Sequence, residues 1–314
     1  MGEAQEVSKS PVVIRLQSIG LGNAFFQYAA AKSVANAGGG EVLFDISGCI
    51  SSQLSDSPAE ITRQEVLDHF SRFRMKFDFA SPSLIRRLRR IPHQQGRWSN
   101  RFQRLLHRLG GMPRSYVKER VIHQFQPEIL KLHAPVYLEG TFINPRYWSD
   151  IRVNVLDDLT CIEKLPEHLE SIRSRMQEES SIAIHIRRGD YAKALTNSTY
   201  PLYGDGYVRR AVAEIERRAG RCRYYVFSDD PQWAQANILV GTDAIHVSRQ
   251  SPAAWVDLEL MSSCHHNVIG NSTFSWWGAY RNMNPNRVVV VPQKWRNDAI
   301  DTSAMLQDGW IALD

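Results

Sequence analysis

The sequence predicts an α/β protein built on parallel sheets, and three observations carry that prediction. Short apolar runs recur at 12–16, 41–45, 136–140, 182–186, 223–227, 267–270 and 288–291, each the length of a buried strand. Stretches of helical period lie between several of them, at 24–37, 149–180, 207–218, 252–263 and 274–282. The third is the opening order of strand, glycine turn and helix, with Gly20-Leu21-Gly22-Asn23 as the turn. Alternating strands and helices imply parallel strands with helices on both faces, in Rossmann-like units.

At 314 residues the chain has room for one large or two medium domains, taking about 100–200 residues for each. A second α/β series begins with the strand at 182, so the crossover falls in 149–180. We place the domain boundary at 150, with Rossmann-like domains over 1–150 and 151–314.

The elements follow in order. Residues 1–10 read as a loose tail. Gly20 and Gly22 allow a tight turn or a close backbone approach, but no third glycine completes a dinucleotide fingerprint. Gly38-Gly39-Gly40 ends the first helix. From 51 to 79 the pattern is irregular, with room for short helices. Residues 86–120 hold ten arginines and Lys118 against Glu119 alone, with Leu84, Ile85, Leu88 and Ile91, then Phe102, Leu105, Leu106 and Leu109, at helical spacing. This basic helical insertion, about 82–120, could lie on an anionic bilayer surface, or it could be a solvated face on a helical insertion. Asp230-Pro231 begins a helix with acidic N-cap chemistry. A short strand at 244–247 precedes the helix at 252–263, and the strand at 288–291 closes the series.

Composition narrows the function classes. The chain is 43% hydrophobic and 23% charged, ordinary for an enzyme-sized globular protein, and no run approaches the roughly 18 apolar residues of a membrane span. The net charge of +5 suits anionic ligands, and no nucleic-acid-binding motif accompanies it, so no nucleic-acid partner is expected. Cys49, Cys161, Cys222 and Cys264 lie far apart, without metal-ligand spacing, and a reduced cytosolic chain is the simplest account. The start, Met-Gly-Glu-Ala-Gln-Glu, lacks an apolar segment and reads as no signal peptide. Work at a membrane would then be peripheral, from the cytoplasmic side of the inner membrane.

Chemistry-bearing residues gather at predicted strand ends. The strand at 182–186 delivers His185, Arg187, Arg188, Asp190 and Tyr191 to its carboxyl end, where open α/β sheets bind ligands. Two adjacent guanidiniums there suit a phosphate, although an Arg–Asp pair closing the corner would read alike. Ser228, Asp229 and Asp230 follow the next strand, and Asp257 falls in the helix before Cys264. These carboxylates could accept from a guanine or ligate Mg²⁺, and one of the Asp229–Asp230 pair reads as a helix cap. Asn271, Ser272 and Thr273 open a helix whose N-terminus suits phosphate, with N-capping as the plainer role.

Five blocks, in order, carry a resemblance. They are Gly20-Leu21-Gly22-Asn23-Ala24-Phe25-Phe26-Gln27-Tyr28, Leu138-Glu139-Gly140-Thr141-Phe142, His185-Ile186-Arg187-Arg188-Gly189-Asp190-Tyr191, Phe227-Ser228-Asp229-Asp230 with Trp233, and Asp257 through Gly278 with Asn271-Ser272-Thr273-Phe274-Ser275-Trp276-Trp277. The chain resembles the bacterial α-1,2-fucosyltransferases of glycosyltransferase family 11. Ala24 stands where that family usually has Gln, and Gly270 where Ala is common.

The resemblance implies a GT-B-like fold of two facing Rossmann-like domains, the first on the acceptor side and the second binding GDP-fucose. The implied reaction is inverting transfer of L-fucose from GDP-β-L-fucose to the 2-hydroxyl of a terminal β-galactose. Its partners would be GDP-fucose and a galactose-terminated oligosaccharide, with no metal or other cofactor required. By the same resemblance Arg187 is the essential phosphate contact, supported by Arg188. His185 and Asp257 are expected to touch guanine or ribose, and Ser272, Thr273 and Phe274 to sit by the diphosphate. Gly20, Gly22, Ser228, Asp229, Asp230 and Asn271 complete the expected donor set. Asn23 could orient the acceptor or the leaving phosphate, and an amide cannot act as a base. Asp190 is the candidate carboxylate near the chemistry, with holding Arg187 as its other role. Phosphate leaves without an acid, so the two-carboxylate glycosidase scheme does not apply directly.

Overall fold

The computed structural model describes residues 10–49, 61–89, 115–192, 199–241, 243–249 and 253–314, which form two compact units. The first holds described residues 10–19, 24–49, 61–89 and 115–160. Its sheet has four parallel strands, β1 (Pro11–Arg15), β2 (Glu41–Asp45), β3 (Tyr116–Lys118) and β4 (Val136–Glu139), in the order β2-β1-β4-β3. Val12, Val13 and Ile14 are wholly buried, as the central strand of a sheet covered on both faces requires.

Helices α1 (Leu21–Ala37), α2 (Arg63–Phe70), α3 (Pro82–Arg89) and α4 (Arg152–Asp158) accompany this sheet. Gln27 on α1 donates to the carbonyls of Arg15 and Gly140, 2.7 Å each, and so ties the helix over the carboxyl ends of β1 and β4. Tyr28 and Lys32, one turn apart on α1, both reach Asp158 of α4, at 2.7 and 2.9 Å. Those bonds keep α4 with the first unit, which runs on through Thr160. Helix α2 starts with a capping box, Thr62 and Glu65 each holding the other's backbone N–H.

The basic stretch 82–120 is not helical throughout. Helix α3 takes 82–89, but Tyr116-Val117-Lys118 is an edge strand, with Val117 opposite Leu138. Tyr and Val favour a pleated surface, and an edge lysine discourages further pairing. The remainder of the expected basic helices, 90–114, lies outside the described residues.

The second unit holds described residues 20–23, 161–192, 199–241, 243–249 and 253–314. Its six parallel strands are β5 (Ser181–Ile186), β6 (Arg223–Ser228), β7 (Ile245–His246), β8 (His266–Val268), β9 (Val289–Pro292) and β10 (Ile311–Leu313). They are ordered β10-β9-β8-β5-β6-β7. The strand at 289–292 is therefore not the last: β10 pairs beside it, Ala312 opposite Val291. The helices are α5 (Glu167–Glu178), α6 (Asp205–Ala219), α7 (Pro231–Asn237), α8 (Ala254–Ser263) and α9 (Thr273–Tyr280). Helix α6 buries Tyr207, Val208, Ala211, Val212 and Ile215, one face of a 3.6-residue period, in a core shared with Ile182, Ile184, Ile186, Val268 and Val290. It stops at Gly220, whose φ of 81° lies in the left-handed region that glycine adopts freely.

Both sheets are parallel and α/β, as the sequence predicts. Each has a point where the strand order reverses, between β1 and β4 in the first and between β5 and β8 in the second. Such points open a crevice beyond the strands' carboxyl ends.

Candidate active site

In the second unit the switch point lies between the residue pair leaving β5 and the loop leaving β8. Ile186 ends a strand with six buried residues, so the chain emerges from the sheet at Arg187. Arg187 Nη1 meets Asp229 Oδ2 at 3.0 Å, and the other oxygen of Asp229 accepts from the Arg188 N–H at 2.8 Å. One carboxylate from the end of β6 thus holds both the side chain of Arg187 and the backbone of Arg188. Arg188 turns its guanidinium 4.1 Å over the Trp233 ring, with Nε 3.8 Å from Asp230. Asp230 caps α7, accepting from the Trp233 N–H at 3.1 Å, while Pro231 fills the first helical position. The cap role expected for one of the two aspartates belongs to Asp230.

Behind this pair runs a polar chain. Ser228 Oγ accepts from the Asp230 N–H at 3.0 Å, and the Ser228 N–H donates to Ser248 Oγ at 3.0 Å. Ser248 in turn donates to Asp257 on α8 at 2.5 Å. Ser228, Asp230 and Asp257 are therefore linked through Ser248, a residue with no local pattern to reveal it.

The opposite wall is the loop 269–272 and the start of α9. Gly270 lies against β5: a Cβ there would stand 3.5 Å from the His185 carbonyl oxygen. Ser272 is the N-cap of α9, and its hydroxyl makes no capping bond. The first-turn N–H groups of a helix have no intrahelical carbonyl to bond, and the dipole is positive there. Asn271 is buried, and its amide donates to the carbonyls of Pro201 and Trp295 at 3.1 and 3.0 Å. It braces the loop from behind. His185 is 4% exposed, with its ring 5.5 Å from that of Phe274. Burial, with the nearby charge of Arg187, drives its pKa down to about 3. The imidazole is neutral at ordinary pH, and its Nδ1 has no hydrogen-bond partner among the described residues.

Residues 20–23 belong to this unit by their contacts. Trp277 Nε1 donates to the Gly22 carbonyl at 3.1 Å, and Thr273 Oγ1 donates to Asn23 Oδ1 at 2.8 Å. A Cβ on Gly22 would fall 2.5 Å from both Thr273 Oγ1 and the Phe274 nitrogen, so only glycine fits. Gly20 opens this segment. Of the expected residues, Asp190 alone is without a description here, because its side chain lies outside the described set. Among the described residues no group of three or more His, Cys, Asp or Glu could hold a metal ion. All four cysteines are free, and no described helix is long and apolar enough to cross a membrane.

Two parallel α/β sheets, with a double-arginine corner and a helix N-terminus at one switch point, define an α/β protein. A family model gives the finer assignment, the Glycosyl transferase family 11 model matching residues 118–314. The chain belongs to glycosyl transferase family 11. It is similar to the O-antigen biosynthesis glycosyltransferase WbnK of Escherichia coli, 34% identical over 140 residues, 44% of this chain and 46% of that protein. An alpha-1,2-colitosyltransferase of Escherichia coli is 23% identical over 180 residues, 56% of this chain and 61% of that protein. Galactoside alpha-(1,2)-fucosyltransferase 1 of Aotus azarae is 24% identical over 144 residues, 43% of this chain and 39% of that protein. The match spans less than two thirds of the length of each of these relatives.

Proposed function

We propose that the chain transfers L-fucose from GDP-β-L-fucose to the 2-hydroxyl of a terminal β-galactose, with inversion, as a galactoside 2-α-L-fucosyltransferase. One observation carries the reading: Arg187 and Arg188, held by Asp229 and Asp230, lie at the same switch point as the first turn of α9. GDP leaving the sugar gathers negative charge on its β-phosphate, and a preorganised set of cations and N–H donors stabilises that charge. Arg187 is given the phosphate, with Arg188 beside it. Thr273 and the backbone of Phe274 serve the diphosphate from the helix end.

The uncharged Nδ1 of His185 and the carboxylate of Asp257 are given the nucleoside, the first as a single donor or acceptor and the second as an acceptor. The hydroxyl of Thr273 already engages Asn23 Oδ1, which orients the Asn23 amide so that its N–H donors serve a sugar or phosphate oxygen. No side chain is assigned as base. With a phosphate leaving group the transition state can be oxocarbenium-like, and the acceptor proton can leave late. The first unit is given the acceptor. The chain is read as cytoplasmic, with residues 86–120 in peripheral contact with an anionic membrane. The names of the Escherichia coli colitosyltransferase and of the Aotus azarae fucosyltransferase share a 1,2-linkage and differ in the sugar, so the donor is tested first. Turnover is measured with GDP-fucose and with GDP-mannose on one β-galactoside. Preference for GDP-fucose supports the reading, and equal or reversed preference rejects it.

A further inference from the structure

Arg187 does not stand on Asp229 alone. Its guanidinium lies 5.6 Å over the ring of Tyr191, and that ring stacks on Tyr200 with centroids 4.5 Å apart and planes 8° from parallel. Tyr200 also meets a second guanidinium, Arg296, 4.9 Å from the ring centroid and donating to the Tyr200 hydroxyl at 2.6 Å. Asp298 holds Arg296 through both oxygens, at 2.9 and 2.5 Å, and the Arg296 side chain is only 10% exposed. The result is a column of four planar groups, Arg187, Tyr191, Tyr200 and Arg296, whose outer end is locked.

Asn271 anchors the same column to the loop after β8. The Tyr191 hydroxyl donates to the Asn271 carbonyl at 3.2 Å, while the Asn271 amide reaches Pro201, next to Tyr200, and Trp295, next to Arg296. The backbone adds a bond from the Asn297 N–H to the Thr199 carbonyl, 2.8 Å. Every member of the column past Arg187 is therefore fastened to the wall that carries the start of α9.

The chemistry of stacking explains what this is for. A guanidinium presents its N–H donors in its plane, and a ring beneath it engages only the face. A ring contact can persist while the in-plane donors exchange a carboxylate for a phosphate. Asp229 holds Arg187 through one of those donors, so that bond competes with an incoming anion and the ring contact does not.

We propose that Tyr200 and Arg296 are positioning residues for Arg187, setting its guanidinium for a diphosphate through the Tyr191 ring. The inference rests on the donor reading above, and the test separates the two. Binding of GDP and of guanosine is measured by calorimetry for the wild-type chain and for the Tyr200→Leu, Tyr200→Phe and Arg296→Met variants. Tyr200→Leu and Arg296→Met should weaken GDP about 10-fold and leave guanosine within 2-fold, while Tyr200→Phe, which keeps the stack, should recover most of the GDP affinity. In turnover the KM for the donor should rise with kcat less affected. Equal loss of GDP and guanosine binding, or unchanged GDP binding in both disruptive variants, overturns the positioning role. Should Tyr200→Leu not fold, Arg296→Met decides the same question. A wild-type chain that binds neither ligand rejects the donor reading itself.

Discussion

Gly22 and Thr273 stand so close that a single methyl on the glycine would come within 2.5 Å of the threonine Oγ1. The same methyl would meet the Phe274 nitrogen at 2.5 Å and the Thr273 carbonyl carbon at 2.7 Å. The contact joins Gly22, in the helical segment that begins at Leu21, to the helix end given the diphosphate.

Gly22→Ala should therefore displace the α9 N-terminus or the segment that holds Gly22. Overpacking of this kind costs about 1–3 kcal/mol. Two of the three atoms met are backbone, which a rotamer change cannot relieve. We expect a lower melting temperature by calorimetry together with a weaker GDP affinity. A variant with wild-type values for both would show that the contact yields freely.

Arg187→Ala should lower kcat/KM by about 10²–10³-fold, the range for losing one preorganised donor at a developing negative charge. Arg187→Lys should recover little, because an ammonium cannot reproduce the planar fork. Arg188→Ala should cost less, since the Asp229 bond to residue 188 is made by its backbone N–H and survives the change. Steady-state kinetics on the three variants checks the order, and equal losses at 187 and 188 would contradict it.

The pH dependence follows from His185. Its pKa is about 3 when folded against an ordinary 6.5, with burial the main cause and the Arg187 charge the second. Between those values the unfolded chain binds a proton that the folded chain does not. Stability then rises with pH across that window, and the penalty grows as pH falls from about 6.5 toward 3. His185→Gln should flatten this part of the curve of melting temperature against pH. An unchanged slope would mean that other groups set it.

How much of this was legible in the sequence depends on distance along the chain. Strand β5 and the arginine pair beyond it stand out because apolar alternation ends abruptly in charge within ten residues. The cap at Asp230 is equally local, since an acidic residue followed by proline satisfies the helix start by itself. Strands β3 and β10 have three residues each, too few for a period to register, and only pairing with a neighbour makes them strands. Tyr200 and Arg296 lie 96 residues apart, and nothing near either predicts their bond. The bonds of Asn271 were equally hidden: its amide donates to the carbonyls of Pro201 and Trp295, 70 and 24 residues away.

The most direct measurement is product analysis after incubation with GDP-L-fucose and lactose. Nuclear magnetic resonance then reads both the linkage position and the anomeric configuration. The product should carry an α-fucosyl group on the galactose 2-hydroxyl, with one GDP released for each product formed. A chain that binds GDP yet transfers to no β-galactoside, or that builds a β-linkage, would contradict it.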